Sequence, residues 1–330
     1  MATFNYTIKS SGGDYTSLSA FEAALPGSGS DTYIATYDEA LSDTTAVTFS
    51  GIGASVIVEV TVNPAYRCRG RADGSFAELV NSTSGSSVTL TTSGVQLTVS
   101  HLRIVRSDGN ISRALLDSSA SSALVFKNCL FILRSPTGAS TIITVNGGAT
   151  AYFYGCAFLL EGCTVSGDYA GLASTSVVRL FGCTFLALDC SVGSSSFVRA
   201  FATASVDARN CVFVLYNSTM SLGAMYDSGW VAGSNYNATS DMSAKGTNAK
   251  TNLKRSLFVS VTPDAEDLRF DGRRAMLEAG VGEDLTAYYT EDINGDFLRE
   301  AYKGADYVPP VVLTASASFV SSSPNVLLQG

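Results

Sequence analysis

Cysteines, one histidine and scattered carboxylates are the residues of this chain that could do chemistry. Six of the seven cysteines fall at repeating positions: Cys129, Cys156, Cys183 and Cys211 are 27, 27 and 28 residues apart, and Cys163 and Cys190 each lie seven residues after one of them. A metal site built on thiolates wants close pairs such as C-x-x-C with histidine partners. This spacing is not that, and His101 is the single histidine. No metal and no cofactor is expected. Hydrolysis of a glycosidic bond wants two carboxylates facing one groove, about 5–10 Å apart. The acids near the repeats are Asp108, Asp117, Glu161, Asp168, Asp189 and Asp207. In repeat register Asp189 aligns with Gly162 and Ser135, and Asp168 with Ser195, so neither stacks on another acid. No Ser-His-Asp pattern or phosphate-binding glycine loop is legible. No catalytic residue is assigned on this reading.

The cysteines instead mark a period. NCLFIL, GCAFLL, GCTFLA and NCVFVL are copies of one segment, at residues 128–133, 155–160, 182–187 and 210–215. SHLRIV reads as an earlier, degenerate copy, with His101 one period before Cys129. A fixed period of 27–28 residues means a solenoid. The runs within each copy are short, apolar and rich in β-branched and aromatic residues, which suits strands. The residue before each marker cysteine is Asn128, Gly155, Gly182 or Asn210, types that tolerate a left-handed backbone and so permit a one-residue bend. The expected fold is all-β: a right-handed parallel β-helix with 27–28-residue coils, a short N-terminal capping helix and an extended C-terminal tail.

The expected parts are a strand and capping helix over 1–27, the β-helix over 28–270 with its regular coils at 95–216, a C-terminal cap over 271–306 and a tail over 307–330. The helix is expected from a Thr16 cap to Leu25, covering an otherwise sticky end coil. Residues 217–252 read as a polar insertion holding the single tryptophan, with the next coil resuming at RSLFVS (Arg255–Ser260). Trp230 with Tyr226 and Tyr236 would be a sugar-stacking platform or an anchor for the loop or for a neighbouring subunit; anchoring is the favoured reading. Arg179 and Asp207 should be neighbours on adjacent coils and form an outward ion pair. His101, at a marker-cysteine position, is expected inside or at a strand end rather than as a base.

Alternation along the marker strands puts the cysteine and the phenylalanine two residues later on the inner face. The outer face then carries Leu102, Ile104, Leu130, Ile132, Leu159, Leu186, Val212 and Val214. A water-facing strand should be polar there, so the apolar strip marks an interface. The expectation is a homotrimer joined along it; the alternative is a cover from the chain itself.

Net charge is −8 from 21 basic and 29 acidic residues. No dense Lys/Arg cluster suggests nucleic acid. No apolar run reaches the roughly 18 residues that span a membrane, and no secretory signal is legible in MATFNYTIKSSGGDY. Buried reduced thiols suit assembly in a cytosol.

YTIKSSGGDYTSLSAFEAAL (Tyr6–Leu25) resembles the opening of pectin-lyase-like right-handed β-helix proteins. FVSVTPDAEDLRF (Phe258–Phe270), AMLEAGVG (Ala275–Gly282), EDINGDFLR (Glu291–Arg299) and KGADY (Lys303–Tyr307) resemble the terminus of bacterial and phage β-helix proteins, departing in the lack of a proline before Ala275 and in Glu278 where aspartate is usual. EDINGD lacks the spaced ligands of a calcium loop. The layout resembles phage virion proteins, which implies a non-catalytic structural role in the virion. Within that group a capsid decoration or cement protein fits best, with itself and a major capsid protein as partners. The alternative is a tailspike-like or secreted polysaccharide-processing enzyme. The paired acids and Gly-His-Gly of polygalacturonase-like enzymes are absent, and a glycan partner is not indicated. A surface adhesin is a third reading.

Overall fold

In this computed structural model the described residues are 1–293, apart from 72–73, 82–88, 108–115, 120–121, 136–142, 166–171, 193–197, 201–203, 221–224, 227–228, 242, 247, 254–256, 263–266, 272–281, 283 and 289–290. Asp108, Asp168 and the tail 307–330 lie outside them.

The strands stack as a right-handed parallel β-helix with three faces. Sheet A has eight strands, from Thr3–Ile8 through Ala123–Lys127, Thr150–Tyr154 and Val177–Phe181 to Ser205–Arg209. Sheet B also has eight, including Glu78–Asn81, Arg103–Arg106, Leu130–Arg134, Ala157–Glu161, Thr184–Leu188 and Val212–Tyr216. Sheet C has seven shorter strands, from Val47–Phe49 to Met225–Tyr226. Pairing is parallel and in strict register, so like residues stack: Phe131 on Phe158, Phe158 on Phe185, Phe185 on Phe213. Those rings lie face to face with centroids 5.0, 4.3 and 4.6 Å apart. Phe126 and Phe153 on the inner face of sheet A meet Phe131 and Phe158 edge-on at 5.4 and 5.6 Å. Offset stacks and T-shaped contacts are the favoured aromatic geometries, and they fill the axis of the coil.

The bend before each marker cysteine is left-handed, as the residue types predict. Asn128, Gly155, Gly182 and Asn210 have φ of 54°, 59°, 63° and 56°. The second cysteine ladder obeys the same rule one corner later, where Gly162 and Asp189 have φ of 61° and 53°. A side chain in this region costs roughly 1–2 kcal/mol. Gly182→Ala is therefore expected to lower stability by about 1–2 kcal/mol, and Gly182→Asn by less, read from urea midpoints.

The thiols cap the strand ends at these corners. Cys183 Sγ lies 3.7 Å from the Phe181 carbonyl and 3.4 Å from the Phe153 carbonyl of the preceding coil, and Cys211 Sγ lies 3.4 Å from that of Arg209 and 3.1 Å from that of Leu180. A thiol is small and apolar enough for the core yet donates weakly to carbonyls that the bend leaves over. Oxygen and amide groups take the same place at the end of each ladder. Ser218 Oγ donates to Tyr216 O at 2.8 Å, and Asn237 Nδ2 donates to Ala208 O at 2.8 Å. All seven cysteines are buried and free.

Asn237 also shows that the coil continues past Tyr216. Val206 bridges Trp230, Arg209 bridges Asn235, and Val212–Phe213 pair with Ala238–Thr239. Tyr236 takes the left-handed bend at φ 54°. The expected insertion at 217–252 is thus largely a further coil. It was illegible because Asn237 and Thr239 stand where earlier coils have cysteine and phenylalanine. Trp230 is half-buried against the main core, an anchor within the chain. RSLFVS, in turn, does not resume the stack: Phe258–Ser260 pairs antiparallel with Asp267–Phe270 as a hairpin.

At the other end, the helix is Leu18–Ala23 with Ser17, not Thr16, as N-cap, its hydroxyl accepting from Ala20 N at 3.0 Å. Asp43, buried in the first coil, accepts from Leu18 N at 2.6 Å and from the Tyr37 hydroxyl at 3.2 Å. Leu18 and Phe21 are the helix residues buried over the coil end.

Candidate functional site: the first corner and its strap

The eight residues expected to form a subunit interface fall into two groups, and neither is a free surface. Leu102 and Ile104 face inward. Sheet B pairs Ile104 with Phe131 and Arg103 with Leu130, so SHLRIV is shifted by one residue from the expected alignment. Because strand side chains alternate, that shift moves both residues to the core face. His101 consequently sits at the bend, not at a marker-cysteine position. Its φ is 61°, and its N–H donates to Lys127 O at 2.9 Å just as Asn128 N–H donates to Tyr154 O. The remaining six, Leu130, Ile132, Leu159, Leu186, Val212 and Val214, do face outward, but each is at most 1% exposed. They form a second hydrophobic core with Leu253, Leu257, Phe258, Leu268, Phe270 and Ile293. The strip is covered by the chain's own C-terminal residues. At the edge of this cover, Leu268 N donates to Gly70 O at 2.9 Å.

Beside the hairpin, the last described residues run back along the corner ladder toward the N-terminal coils. A methyl group added to Gly282 would stand 2.5 Å from the Asn210 side chain. Tyr288 packs edge-on to Phe181 at 4.7 Å and stacks near Tyr154 at 6.4 Å. Glu291 Oε2 lies 4.0 Å from His101 Nε2 and 3.7 Å from Arg67 Nη1. Ile293 closes over Gly70. These residues form a strap that ties late coils to early ones.

Strap and corner enclose a cleft of about 310 Å³ lined by Ser100, His101, Lys127, Asn128, Thr286, Ala287, Tyr288 and Glu291. His101 is 7% and Asn128 5% exposed, and His101 Nδ1 and Asn128 Oδ1 are buried without hydrogen-bond partners. An unpaired buried polar atom costs about 1–3 kcal/mol, so the corner carries a local penalty. Burial, with the Arg67 guanidinium adding to it, pushes the His101 imidazole down to about 3. The ring is neutral and suits neither proton relay near neutrality nor anion binding. No protein-family model matches the chain, and no curated protein matches its sequence.

Outward from the cleft, sheet A carries Tyr152, Tyr154, Arg179 and Phe181. The Arg179 guanidinium lies over the Tyr152 ring at 5.2 Å, and that of Arg209 over Phe181 at 5.3 Å. Arg179 and Asp207 are register neighbours as expected, but the ion pair is made within one strand, Arg209 Nη2 to Asp207 Oδ2 at 2.9 Å. Residues i and i+2 share a face of a strand, and Arg209 there outcompetes the cross-strand partner. On sheet B the acids pair across coils instead: Arg134 with Glu161 at 2.7 Å and Arg103 with Glu78 at 2.5 Å. Among the described residues no group of three or more His, Cys, Asp or Glu is placed to hold a metal.

Of the residues that meet at this corner, the sequence singles out Asn128 as a bend residue and His101 as a marker-position residue. Arg67, Tyr288 and Glu291 were missed. They come from segments about 34 residues before and 187–190 residues after His101, and short-range pattern does not connect them; the EDINGD stretch was the one available signal.

Proposed function

We propose that the chain is a non-catalytic structural protein of a phage particle, in the role of a capsid decoration or cement protein. The observation that carries a structural role is the bracing. A bare solenoid is held by nearest-neighbour contacts alone, whereas here the hairpin and strap link Asn210, Phe181, Tyr154, His101 and Gly70 along the stack. Such a body resists unwinding from either end, which suits a particle exposed to mechanical and chemical stress. The virion assignment rests on the resemblance of sequence layout and is an analogy. With the sheet B strip already covered, contacts with other copies or with a capsid protein fall to other faces, of which the outer side of sheet A offers Tyr152, Arg179 and Val177, the last 37% exposed. The homotrimer expected along the sheet B strip loses that interface to the chain's own cover, so light scattering of the full chain tests association through another face: a mass above the 34.4 kDa chain mass at micromolar concentration supports contacts between copies, and a monomer removes the trimer.

A polysaccharide-processing β-helix is the second reading, favoured by the cleft, where Glu291, His101 and the half-exposed Tyr288 ring converge. Incubation with a panel of acidic and neutral polysaccharides separates the two. New reducing ends or unsaturated products, lost in Glu291→Gln, would overturn the structural reading.

A further inference from the structure

We propose that the strap, Asp284–Tyr288 with Glu291–Ile293, is an acid-released latch over the corner cleft. The geometry has three parts. First, the strap meets the corner through Tyr288 on Phe181 and Tyr154, Glu291 near Arg67 and His101, and Ile293 on Gly70, and it buries Leu285, Asp292 and Ile293. Second, the corner beneath it is imperfectly paired, with His101 Nδ1 and Asn128 Oδ1 both buried and unbonded; opening the strap lets water reach them. Third, among the described residues the carboxylate facing the imidazole is shared with another cation. Glu291 Oε2 is 4.0 Å from His101 Nε2 and 3.7 Å from Arg67 Nη1. Lys127, an exposed residue of the next coil, also lines the cleft, with Tyr288 on the strap side. Arg103, at the start of the strand that follows His101, is turned to Glu78.

A proton added to His101 in the closed state makes a buried cation near the Arg67 guanidinium. In the open state the same cation is hydrated. The sign follows from the depressed value. The closed form holds the ring down to about 3, and an exposed histidine titrates near 6.5. The contribution of the neutral ring to closure is thus fully present above about 6.5 and is lost as pH falls toward 3. Between pH 7.5 and 4.5 the open fraction should rise up to ~100-fold.

Hydrogen exchange of the full chain, followed by mass spectrometry and corrected for the intrinsic pH dependence of exchange, reads this directly. Peptides covering 284–293 should lose up to ~100-fold of their protection between pH 7.5 and 4.5, while the coil strand Leu130–Arg134 keeps its own. His101→Asn is the control that folds, because asparagine already occupies this left-handed corner at Asn128 and Asn210. In that variant strap protection should be flat across the same range. Unchanged protection in the wild-type chain, or an equal loss in His101→Asn, overturns the latch.

Discussion

A chain ending at Leu253 is expected to associate in solution and to bind an apolar dye strongly. That cut removes Leu257, Phe258, Leu268, Phe270 and Ile293, which cover the outer face of sheet B. Each such side chain gains about 1.5–3 kcal/mol on leaving water, and the six residues beneath lose their burial at the same time. What remains exposed is Leu130, Ile132, Leu159, Leu186, Val212 and Val214 in flat parallel register. Contiguous apolar surface of this kind finds a partner. The main core is separate from this second one, so the coils should persist, with strand content by circular dichroism close to that of the parent. Light scattering and dye fluorescence on both chains check the expectation. If the shortened chain keeps the parent's association state and binds no more dye, the C-terminal cover is not what keeps the strip from solvent.

Phe185→Ala is expected to be the most damaging single substitution, at about 3–5 kcal/mol. Phe185 is 1% exposed and stacks between Phe158 at 4.3 Å and Phe213 at 4.6 Å. Truncation removes these ring contacts and leaves a void in the axis of a coil whose neighbours are fixed by ladder hydrogen bonds on either side, so collapse is small. Phe258→Ala should cost less. Phe258 meets one ring, Phe270 at 6.2 Å, on a two-stranded hairpin that can settle onto sheet B. Urea unfolding of the two variants gives the comparison. A cost for Phe185→Ala no greater than that for Phe258→Ala would show that the outer core, not the ring ladder, sets stability.

Much of the repeat was legible because each coil solves the same problem with the same residues. The bend needs a residue that accepts positive φ, so asparagine and glycine recur. The strand end needs a small apolar group with a weak donor, so cysteine recurs. Where another residue type meets the same need, the pattern disappears from view. His101 accepts the bend at φ 61° but reads as a misplaced cysteine, and the one-residue error turned Leu102 and Ile104 outward on paper. Asn237 caps the strand end as a thiol does, so the coil containing it read as an insertion.

Sequence alone determined the architecture: the period, the left-handed bends, the inward phenylalanine ladder and the fact that sheet B is apolar on both faces. These are local or repeat immediately, so a linear pattern carries them. What covers the second apolar face was decided only in three dimensions. The strip demands a partner, but hydrophobic burial is non-directional and does not say whether that partner is another copy or the same chain. Leu253, Leu257, Phe258, Leu268, Phe270 and Ile293 answer it, through contacts with residues dozens to more than a hundred positions away. The same return of the chain places Glu291 and Tyr288 over His101 and Asn128 and creates the cleft.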